Sequence, residues 1–300
     1  MIGEYHRLAH NNHVIDRINK DIGPLYTTDD ARDYYFNLAK DWTDPYGEPV
    51  VTTHDGIRVV RDDYLVGSKV RGGDCLISSL PDSIDTIVYV QPRTGLAGVS
   101  LLDVAKRHNK KVMLFMPSSK RISHHQARCI ERGCDYSFHR IAAMPNLNKI
   151  AKEWADERPN TFFIPLGLKH EMVTAGIVKT AMKIDPPDQV YCATSTGVLT
   201  RALQIAWPNT EFVSVCVARN MKDGELGKAE AVSEPLAFTK AEQSQNLPDF
   251  PVIDTYDGKV WKYIPKNSDK DILFWNVGKE PVLQNLDIIK ETHSFREWGE

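Results

Sequence analysis

Short apolar runs and longer amphipathic segments alternate along most of this chain. The apolar runs predict strands at 50–51, 57–60, 86–90, 112–117, 162–165, 189–193, 212–217, 252–254 and 271–275. The amphipathic segments predict helices that begin at Thr28 and near Arg71, and further helices at 98–108, 123–132, 174–184 and 198–206. Apolar strands that alternate with helices are typical of parallel sheets covered on both faces. The pattern therefore predicts an α/β fold.

Composition places the chain among ordinary globular proteins. Its 300 residues are 42% hydrophobic and 26% charged, with a net charge of −3, and they can form one or two domains. No apolar run approaches the roughly 18 residues that span a bilayer, and we see no secretion signal. We therefore expect a protein of the cytoplasm, or of the host cytoplasm if the source is viral, with no membrane partner.

Cysteine usage agrees with that compartment. The chain has an odd number of cysteines, five, and they are scattered through mostly apolar surroundings. Such residues are typical of reduced, buried thiols in a cytosolic protein. Cys129 and Cys134 have no second pair of ligands at a suitable spacing, so we expect no metal site.

Charge is distributed unevenly. Between Val104 and Arg140 there are nine Lys or Arg against two acids, a net charge of +7. One interpretation is a set of solvated helix faces. The other is a basic surface for a polyanion, such as DNA or a phosphorylated substrate. Because the segment has no recognisable DNA-binding motif and no interleaved aromatic residues, DNA would be held there by its phosphates.

The first candidate for chemistry is the turn Gly67-Ser68-Lys69, which follows the charged run Arg61-Asp62-Asp63. A lysine held in a tight turn can be desolvated, and desolvation favours the neutral amine that attacks a carbonyl. The alternative is a solvated turn lysine. Lys259, which also follows a glycine, is the rival for such a role.

Two loops between a strand and a helix are candidates for ligand binding. They are 91–98 and 193–198, and in α/β folds ligands collect at such positions. The second contains three hydroxyl residues followed by Gly197, a composition that suits a phosphate. The alternative is a simple helix start.

These motifs, in this order, resemble the tryptophan-synthase-β-like (fold type II) pyridoxal-phosphate enzymes, and most of all the aminocyclopropane-carboxylate deaminase and D-cysteine desulfhydrase branch. The similarity runs from about Pro49 to Gly278. Segment 59–69 is similar to the family's strand and its Gly-Asn-Lys motif, and segment 194–198 falls at the family's Gly-Thr-Gly-Gly-Thr loop. Segment 252–259 is similar to the family's Asp-x-x-Tyr-Thr-Gly-Lys motif. Segments 164–177 and 274–278 also match the family in order.

The resemblance implies a cofactor, pyridoxal 5'-phosphate, and roles for named residues. Lys69 would be the catalytic Schiff-base lysine. The residues implied to bind the cofactor are Lys69, Thr194, Ser195, Thr196, Gly197, Val198 and Asn276. The residues implied to bind the substrate are Arg93, Thr94, Gly95, Leu96 and Tyr256.

Departures from the family pattern concern the substrate loop above all. Leu96 stands where the family has Asn, and Arg93 stands at a Ser position. Val277 takes the place of the Ser or Thr that faces the pyridine nitrogen, which leaves Asn276 as the candidate for that role.

The resemblance also implies two docked domains, each a mainly parallel sheet covered by helices. The large, discontinuous domain would comprise residues 1–80 and 171–300, and the small domain residues 81–170. We also expect a homodimer.

Three functions remain open. The favoured hypothesis is a lyase that decarboxylates an amino acid attached to a thymine base in bacteriophage DNA hypermodification. It rests on Leu96, which makes the carboxylate loop less polar, and on the basic segment. The alternatives are a deaminase or desulfhydrase that acts on a small free amino acid, and a non-catalytic binding protein. The pair His124-His125 is expected on the surface rather than in acid–base chemistry.

Overall fold

The computed structural model describes residues 29–140 and 143–291, so Thr28 and the rest of the first 28 residues lie outside the described part. The described chain divides into two compact units. The first comprises the residues up to Leu76 together with Lys169–Glu280, and the second comprises Ile77–Leu168 together with the residues from Pro281. The last segment thus groups with the second unit, and there the backbone amides of Gln284 and Asn285 donate to Glu131 Oε1, each at 2.6 Å.

Helices and strands alternate along the chain. The helices are α1 (Asp29–Leu38), α2 (Lys69–Ser78), α3 (Ala97–Arg107), α4 (His124–Glu131), α5 (Met144–Asp156), α6 (Glu171–Ala181), α7 (Val198–Ala206) and α8 (Asp287–Glu291). The strands are β1 (Val51–His54), β2 (Ile57–Arg61), β3 (Thr86–Val90), β4 (Lys111–Pro117), β5 (Asp135–His139), β6 (Thr161–Ile164), β7 (Gln189–Thr194), β8 (Glu211–Cys216), β9 (Glu230–Ser233) and β10 (Ile272–Asn276).

The first unit contains a six-stranded sheet in the order β1-β2-β10-β7-β8-β9. Its neighbours pair in parallel, except that β1 and β2 form an antiparallel hairpin. Strand β10 is apolar until its last residue and fully buried, as expected for a central strand of such a sheet. On one face of the sheet, Phe274 of β10 packs against Phe250 and Trp261, and the three ring centroids lie 5.2–6.2 Å apart.

The second unit contains a four-stranded, wholly parallel sheet in the order β5-β4-β3-β6. Helix α5 begins with a proline in its first turn and presents Leu147, Ala151 and Ala155 to Val88 and Phe115 of the sheet. The spacing of four residues places these three side chains on one helical face, so the helix covers the sheet.

The expected α/β fold is confirmed, and the predicted bounds of β3 and α7 are the observed ones. The sequence analysis missed α5, α8, β5 and β9. The strand predicted at 252–254 is wrong. There the Ile253 amide donates to Asp257 Oδ1 at 2.9 Å, and its carbonyl accepts from the Tyr256 amide at 2.8 Å, so the backbone forms a turn.

Two smaller expectations have different outcomes. All five cysteines are buried free thiols, and burial raises the pKa of Cys75 and Cys134 to about 12. The surface prediction for the histidine pair is right for His124 but wrong for His125, which is 5% exposed because it lies on the covered face of α4. Within residues 29–140 and 143–291, none of the helices has the length and apolarity to cross a bilayer.

Candidate functional site

Three of the predicted site segments meet at the carboxyl edge of the six-stranded sheet. Strand β10 lies between β2 and β7, and all three run in the same direction. The turn with Lys69 follows β2, Asn276 ends β10, and the 194–198 loop joins β7 to α7. Carboxyl edges of parallel strands are where α/β folds bind ligands.

The Lys69 turn is fixed by backbone contacts. Gly67 has a φ of +117°, which other residues rarely adopt, and its carbonyl accepts from the Val70 amide at 3.1 Å. The Ser68 amide donates to the carbonyl of Val277, just beyond β10, at 2.9 Å. Helix α2 therefore begins at Lys69 rather than near Arg71.

Close packing of α2 against α6 holds the turn from behind. A Cβ on Gly72 would lie 2.7 Å from Val173 Cγ1, and one on Gly176 would lie 2.8 Å from Cys75 Cβ. Because real Cβ atoms do not approach so closely, each helix needs a glycine at this crossing. The contact fixes the first turn of α2, which carries Lys69.

The Lys69 amine has the properties that the sequence analysis proposed. The residue is half-buried, and desolvation lowers the pKa of Lys69. The described part of the chain places no carboxylate within ion-pair distance of the amine. Without an opposite charge to stabilise the ammonium form, burial shifts Lys69 towards the neutral amine.

Lys259 is different. It is fully buried, and its Nζ donates to the backbone carbonyls of Ala237 at 2.9 Å and Leu236 at 3.3 Å. Desolvation lowers its pKa as well. Since its amine already holds the 236–237 backbone, Lys259 is the weaker candidate for a nucleophile.

The 194–198 loop is shaped by Gly197 and Arg201. Gly197 caps α7 with a φ of +74°, and a Cβ there would lie 2.5 Å from Arg201 Nη1. The buried guanidinium of Arg201 donates to the carbonyls of Thr196 and Glu225, each at 3.0 Å. Arg201, which the sequence analysis missed, thus braces the loop. The available signal was that Arg201 is the one charged residue in the sequence of α7.

The loop has the donors that a phosphate group needs. Thr194 is 2% exposed, and its Oγ1 has no hydrogen-bond partner within the described chain. A buried hydroxyl without a partner is costly in a folded protein, and a bound acceptor would satisfy it. The nine-residue helix α7 also begins here, and its first amides favour an anion. These residues fit the phosphate of the predicted cofactor.

Tyr256 extends the same site. Its hydroxyl hydrogen-bonds with the Ser195 side chain, and burial raises the pKa of Tyr256. The structure therefore joins this predicted substrate residue to the loop predicted to hold phosphate.

Behind the lysine turn lies a buried charge network. Arg61 makes a bidentate contact with Asp63, with Nε–Oδ1 at 2.8 Å and Nη2–Oδ2 at 2.9 Å. Asn276 Nδ2 donates to Asp63 Oδ1 at 3.0 Å and to the Pro251 carbonyl at 2.8 Å. Its Oδ1 accepts from the Gly278 amide at 3.0 Å. Both polar atoms of Asn276 thus serve the protein, and its contact with the cofactor stays a prediction.

Asp257 is a second site feature that the sequence analysis did not assign. Its carboxylate is fully buried and accepts from the Ile253 amide at 2.9 Å and the Val277 amide at 2.8 Å. Burial raises the pKa of Asp257 to about 7, against the opposite effect of the two amides. The backbone of Val277 is therefore fixed twice, since its amide donates to Asp257 and its carbonyl accepts from Ser68.

The predicted substrate loop, Arg93 to Leu96, belongs to the second unit. Gln91, which is fully buried, organises it. Its Nε2 donates to the carbonyls of Pro92 at 2.8 Å and Gly95 at 3.0 Å, and its Oε1 accepts from the Gly98 amide at 2.8 Å. The loop is thus rigid, with Arg93 exposed and Thr94 half-buried.

Comparison by sequence gives no relative, since no protein-family model and no curated protein matches this chain. Comparison by structure does. An ACC deaminase homologue is 16% identical, with a TM-score of 0.70, over 81% of this chain and 94% of that chain. Threonine deaminase isoform 2 from Solanum lycopersicum is 14% identical, with a TM-score of 0.64, over 87% and 88%. A pyridoxal 5'-phosphate-dependent aspartate racemase is 12% identical, with a TM-score of 0.60, over 87% and 97%. At these identities the matches establish the fold, and it is the fold that the resemblance implies.

Proposed function

We propose that this protein is a pyridoxal-phosphate-dependent enzyme that acts at the α-carbon of an amino acid, with Lys69 as the residue that carries the cofactor. The observation that supports this most is the Lys69 amine, desolvated and without a carboxylate partner among the described residues. An ACC deaminase homologue, a threonine deaminase and a pyridoxal-phosphate-dependent racemase share the fold.

Some residues of the site would bind the cofactor, and Lys69 would also take part in the reaction. Pyridoxal phosphate, when bound, supplies a conjugated ring that accepts the electron pair left at Cα. Thr194, Ser195 and the first amides of α7 would hold its phosphate. Lys69 would bind the cofactor carbon through its neutral amine and then move the proton at Cα.

In its finer form, the proposal is decarboxylation of an amino acid attached to a thymine base, as in bacteriophage DNA hypermodification. Leu96 supports this version, because an apolar residue beside a substrate carboxylate favours loss of that carboxylate over its retention. The exposed cations of the second unit also suit a substrate that carries phosphates.

A deaminase or desulfhydrase that acts on a small free amino acid is the alternative, supported by the threonine deaminase and the ACC deaminase homologue among the structural neighbours. A protein that keeps the fold without catalysis is the second alternative.

Borohydride reduction of the cofactor-loaded protein tests the common part of the proposal. Reduction should fix a pyridoxyl group on the Lys69 peptide, identified by mass spectrometry, and remove the visible absorbance. Lys69→Ala should lose the adduct, whereas Lys266→Met should keep it. Lys266 is a suitable control because partial desolvation also lowers its pKa, to about 8, and because it precedes β10 and so lies away from the carboxyl edge of the sheet.

An adduct on Lys259, or one retained in Lys69→Ala, would overturn the assignment of Lys69. A protein that retains no visible aldimine absorbance after excess cofactor has been removed would contradict both catalytic versions.

Product analysis separates the two catalytic versions. The loaded protein is incubated with free amino acids and, in parallel, with DNA that carries an amino acid on thymine. Carbon dioxide and an amine on the DNA support decarboxylation, whereas ammonia and a keto acid from a free amino acid support the alternative.

A further inference from the structure

The basic segment 104–140 is divided by the four-stranded sheet into two groups at opposite edges. Lys106, Arg107, Lys110 and Lys111 lie between the end of α3 and the start of β4, at the amino edge. Lys120 and Arg121 follow β4, and Arg140 follows β5, at the carboxyl edge. Arg93, in the loop after β3, joins the second group. We call Arg93, Lys120, Arg121 and Arg140 the cationic edge.

Direct contacts bring the loops of the cationic edge together. Strands β3, β4 and β5 are neighbours and parallel, so their carboxyl ends lie side by side. The Ser118 amide donates to the His139 carbonyl at 2.9 Å, which joins the loop after β4 to the end of β5. Arg93 Nη2 donates to the Arg121 carbonyl at 3.4 Å, and this contact joins the loop after β3 to the loop after β4.

The four cations are exposed, and within the described chain no carboxylate lies at ion-pair distance from any of them. Other cations of the segment are engaged. Arg128 pairs with Glu131, and Arg132 pairs with Asp103 at 2.8 Å. At the amino edge, Lys110 donates to the Ile84 carbonyl. Lys106, Arg107 and Lys111 are also exposed at the amino edge, but Asp85 and Asp135 lie at the amino ends of β3 and β5 and offset their charge. The sequence of the loops that follow β3, β4 and β5 contains no acid. The net positive charge is therefore concentrated at the cationic edge.

We propose that the cationic edge binds the phosphate backbone of DNA. The proposal rests on the proposed function, and it specifies which surface holds a DNA-borne substrate. The four cations lie in three loops that follow adjacent strands, and adjacent strands of a sheet are about 4.8 Å apart. Cations spread over three such loops suit a row of phosphates better than one phosphate group. A protein partner would need an apolar centre, and none of the exposed large hydrophobic residues of the described chain lies in these loops.

Such binding is independent of base sequence and depends on salt. Each cation that neutralises a phosphate of duplex DNA contributes about 0.9 to the slope of log affinity against log salt concentration. Arg93 connects this function to the predicted substrate loop, since it lies beside Thr94 and Gly95.

The test uses the full-length, cofactor-loaded protein and a fluorescent duplex DNA of mixed sequence. Binding is measured at several salt concentrations for Lys120→Gln with Arg121→Gln, at the cationic edge. The control is Lys106→Gln with Arg107→Gln, an adjacent Lys-Arg pair at the amino edge that loses the same charge. We expect the first variant to bind about tenfold more weakly, with a slope reduced by about two, and the control to bind like the unmodified protein.

Equal losses in the two variants would overturn the proposal, because bulk charge would then explain binding. So would an unmodified protein that does not bind DNA, or full displacement of DNA by inorganic triphosphate at equal phosphate concentration, which would indicate a small phosphorylated ligand. Lys69→Ala should keep its affinity for DNA. Failure of the pyridoxyl adduct and failure of DNA binding are therefore separate results.

Discussion

The carboxyl edges of the two sheets use charge in opposite ways. In the first unit, Arg61 and Asp63 are 7% and 1% exposed and form an ion pair, and Asp63 also accepts from Asn276. In the second unit, Lys120 and Arg121 are exposed and have no carboxylate partner in the described chain. One edge holds its charges in a fixed network, and the other presents them to solvent.

The difference separates positioning from recognition. A buried charge cannot lose its partner without a large penalty, so the network behind Lys69 holds the turn in one geometry. An exposed cation pays little desolvation and can contact a mobile polyanion. The first edge is therefore suited to reaction at one carbon atom, and the second to retention of a large charged substrate.

Removal of Asp63 should have the largest effect on stability. Asp63→Ala leaves the buried guanidinium of Arg61 without its bidentate partner, so we expect the free energy of unfolding to fall by about 3–5 kcal/mol. Urea denaturation measures it. The control is Asp271→Ala, which breaks the partly exposed pair with Arg58 and should cost below about 1 kcal/mol. Similar losses in both variants would contradict the contrast between buried and exposed charge.

The histidine pair of α4 makes the same contrast within the second unit. Burial lowers the pKa of His125 from 6.5 to about 4, so below pH 6.5 the unfolded chain takes up a proton that the folded protein excludes. The stability that His125 contributes is full above pH 6.5 and is lost as the pH falls towards 4. The expected loss is about 3 kcal/mol.

Urea denaturation at pH 7 and pH 4.5 tests this prediction. His125→Leu should flatten the decrease in stability, whereas His124→Leu, which changes the exposed neighbour, should leave it as it is. An unchanged decrease in His125→Leu would show that other groups cause it.

Gly197 should tolerate substitution less well than Gly133, which has a similar backbone conformation but no neighbouring atoms. Gly197→Ala adds a Cβ 2.5 Å from Arg201 Nη1 at a φ of +74°. Gly133, with a φ of +82°, has nothing within 4 Å of such a Cβ. Both variants bear a left-handed backbone cost of about 1–2 kcal/mol, and we expect Gly197→Ala to lose about 1–3 kcal/mol more through overpacking.

Thermal unfolding and cofactor titration measure the two parts. Gly197→Ala should also weaken cofactor binding, while Gly133→Ala should not. Equal stability of the two variants would mean that Arg201 can move away from the loop.

Tyr256→Phe should give the smallest effect. It removes the hydroxyl that bonds with Ser195, so we expect a loss of about 1 kcal/mol in stability and a cofactor affinity lowered less than about tenfold. Tyr263→Phe is the control, because its hydroxyl donates to Glu234 at 3.0 Å in the same unit but away from the loop. If the control weakens cofactor binding equally, Tyr256 has no specific role.

Local pattern was sufficient where an element is largely apolar and clear stop signals flank it. Strand β3 and helix α7 are mainly apolar, and α7 begins directly after Gly197 and ends before Pro208, so their bounds followed from the sequence. Strand β5 did not, because it is an edge strand in which only Phe138 is buried and polar residues alternate with aromatic ones. The turn at Ile253 did not either, since the Asp257 side chain takes the amide that a strand would use.

The site shows the same limit. Residue types and their order were enough to predict Lys69 and the 194–198 loop as candidates. Their supports could not, because Arg201, Asp257 and the carbonyl of Val277 act through contacts that the sequence does not show. The division of the basic segment was also hidden, since each crossover helix returns the chain to the opposite edge of the sheet.

The central position of β10 has a consequence for biosynthesis. This strand follows every other strand of the two sheets in the sequence, yet it pairs with β2 and β7 on its two sides. On the ribosome, those two strands have to wait with unpaired edges, which are prone to aggregation, until residue 276 has emerged. The second unit can form its sheet earlier from 77–168 alone. Since the carbonyl of Val277 anchors Ser68, the turn that carries Lys69 acquires this anchor only after β10 has been synthesised.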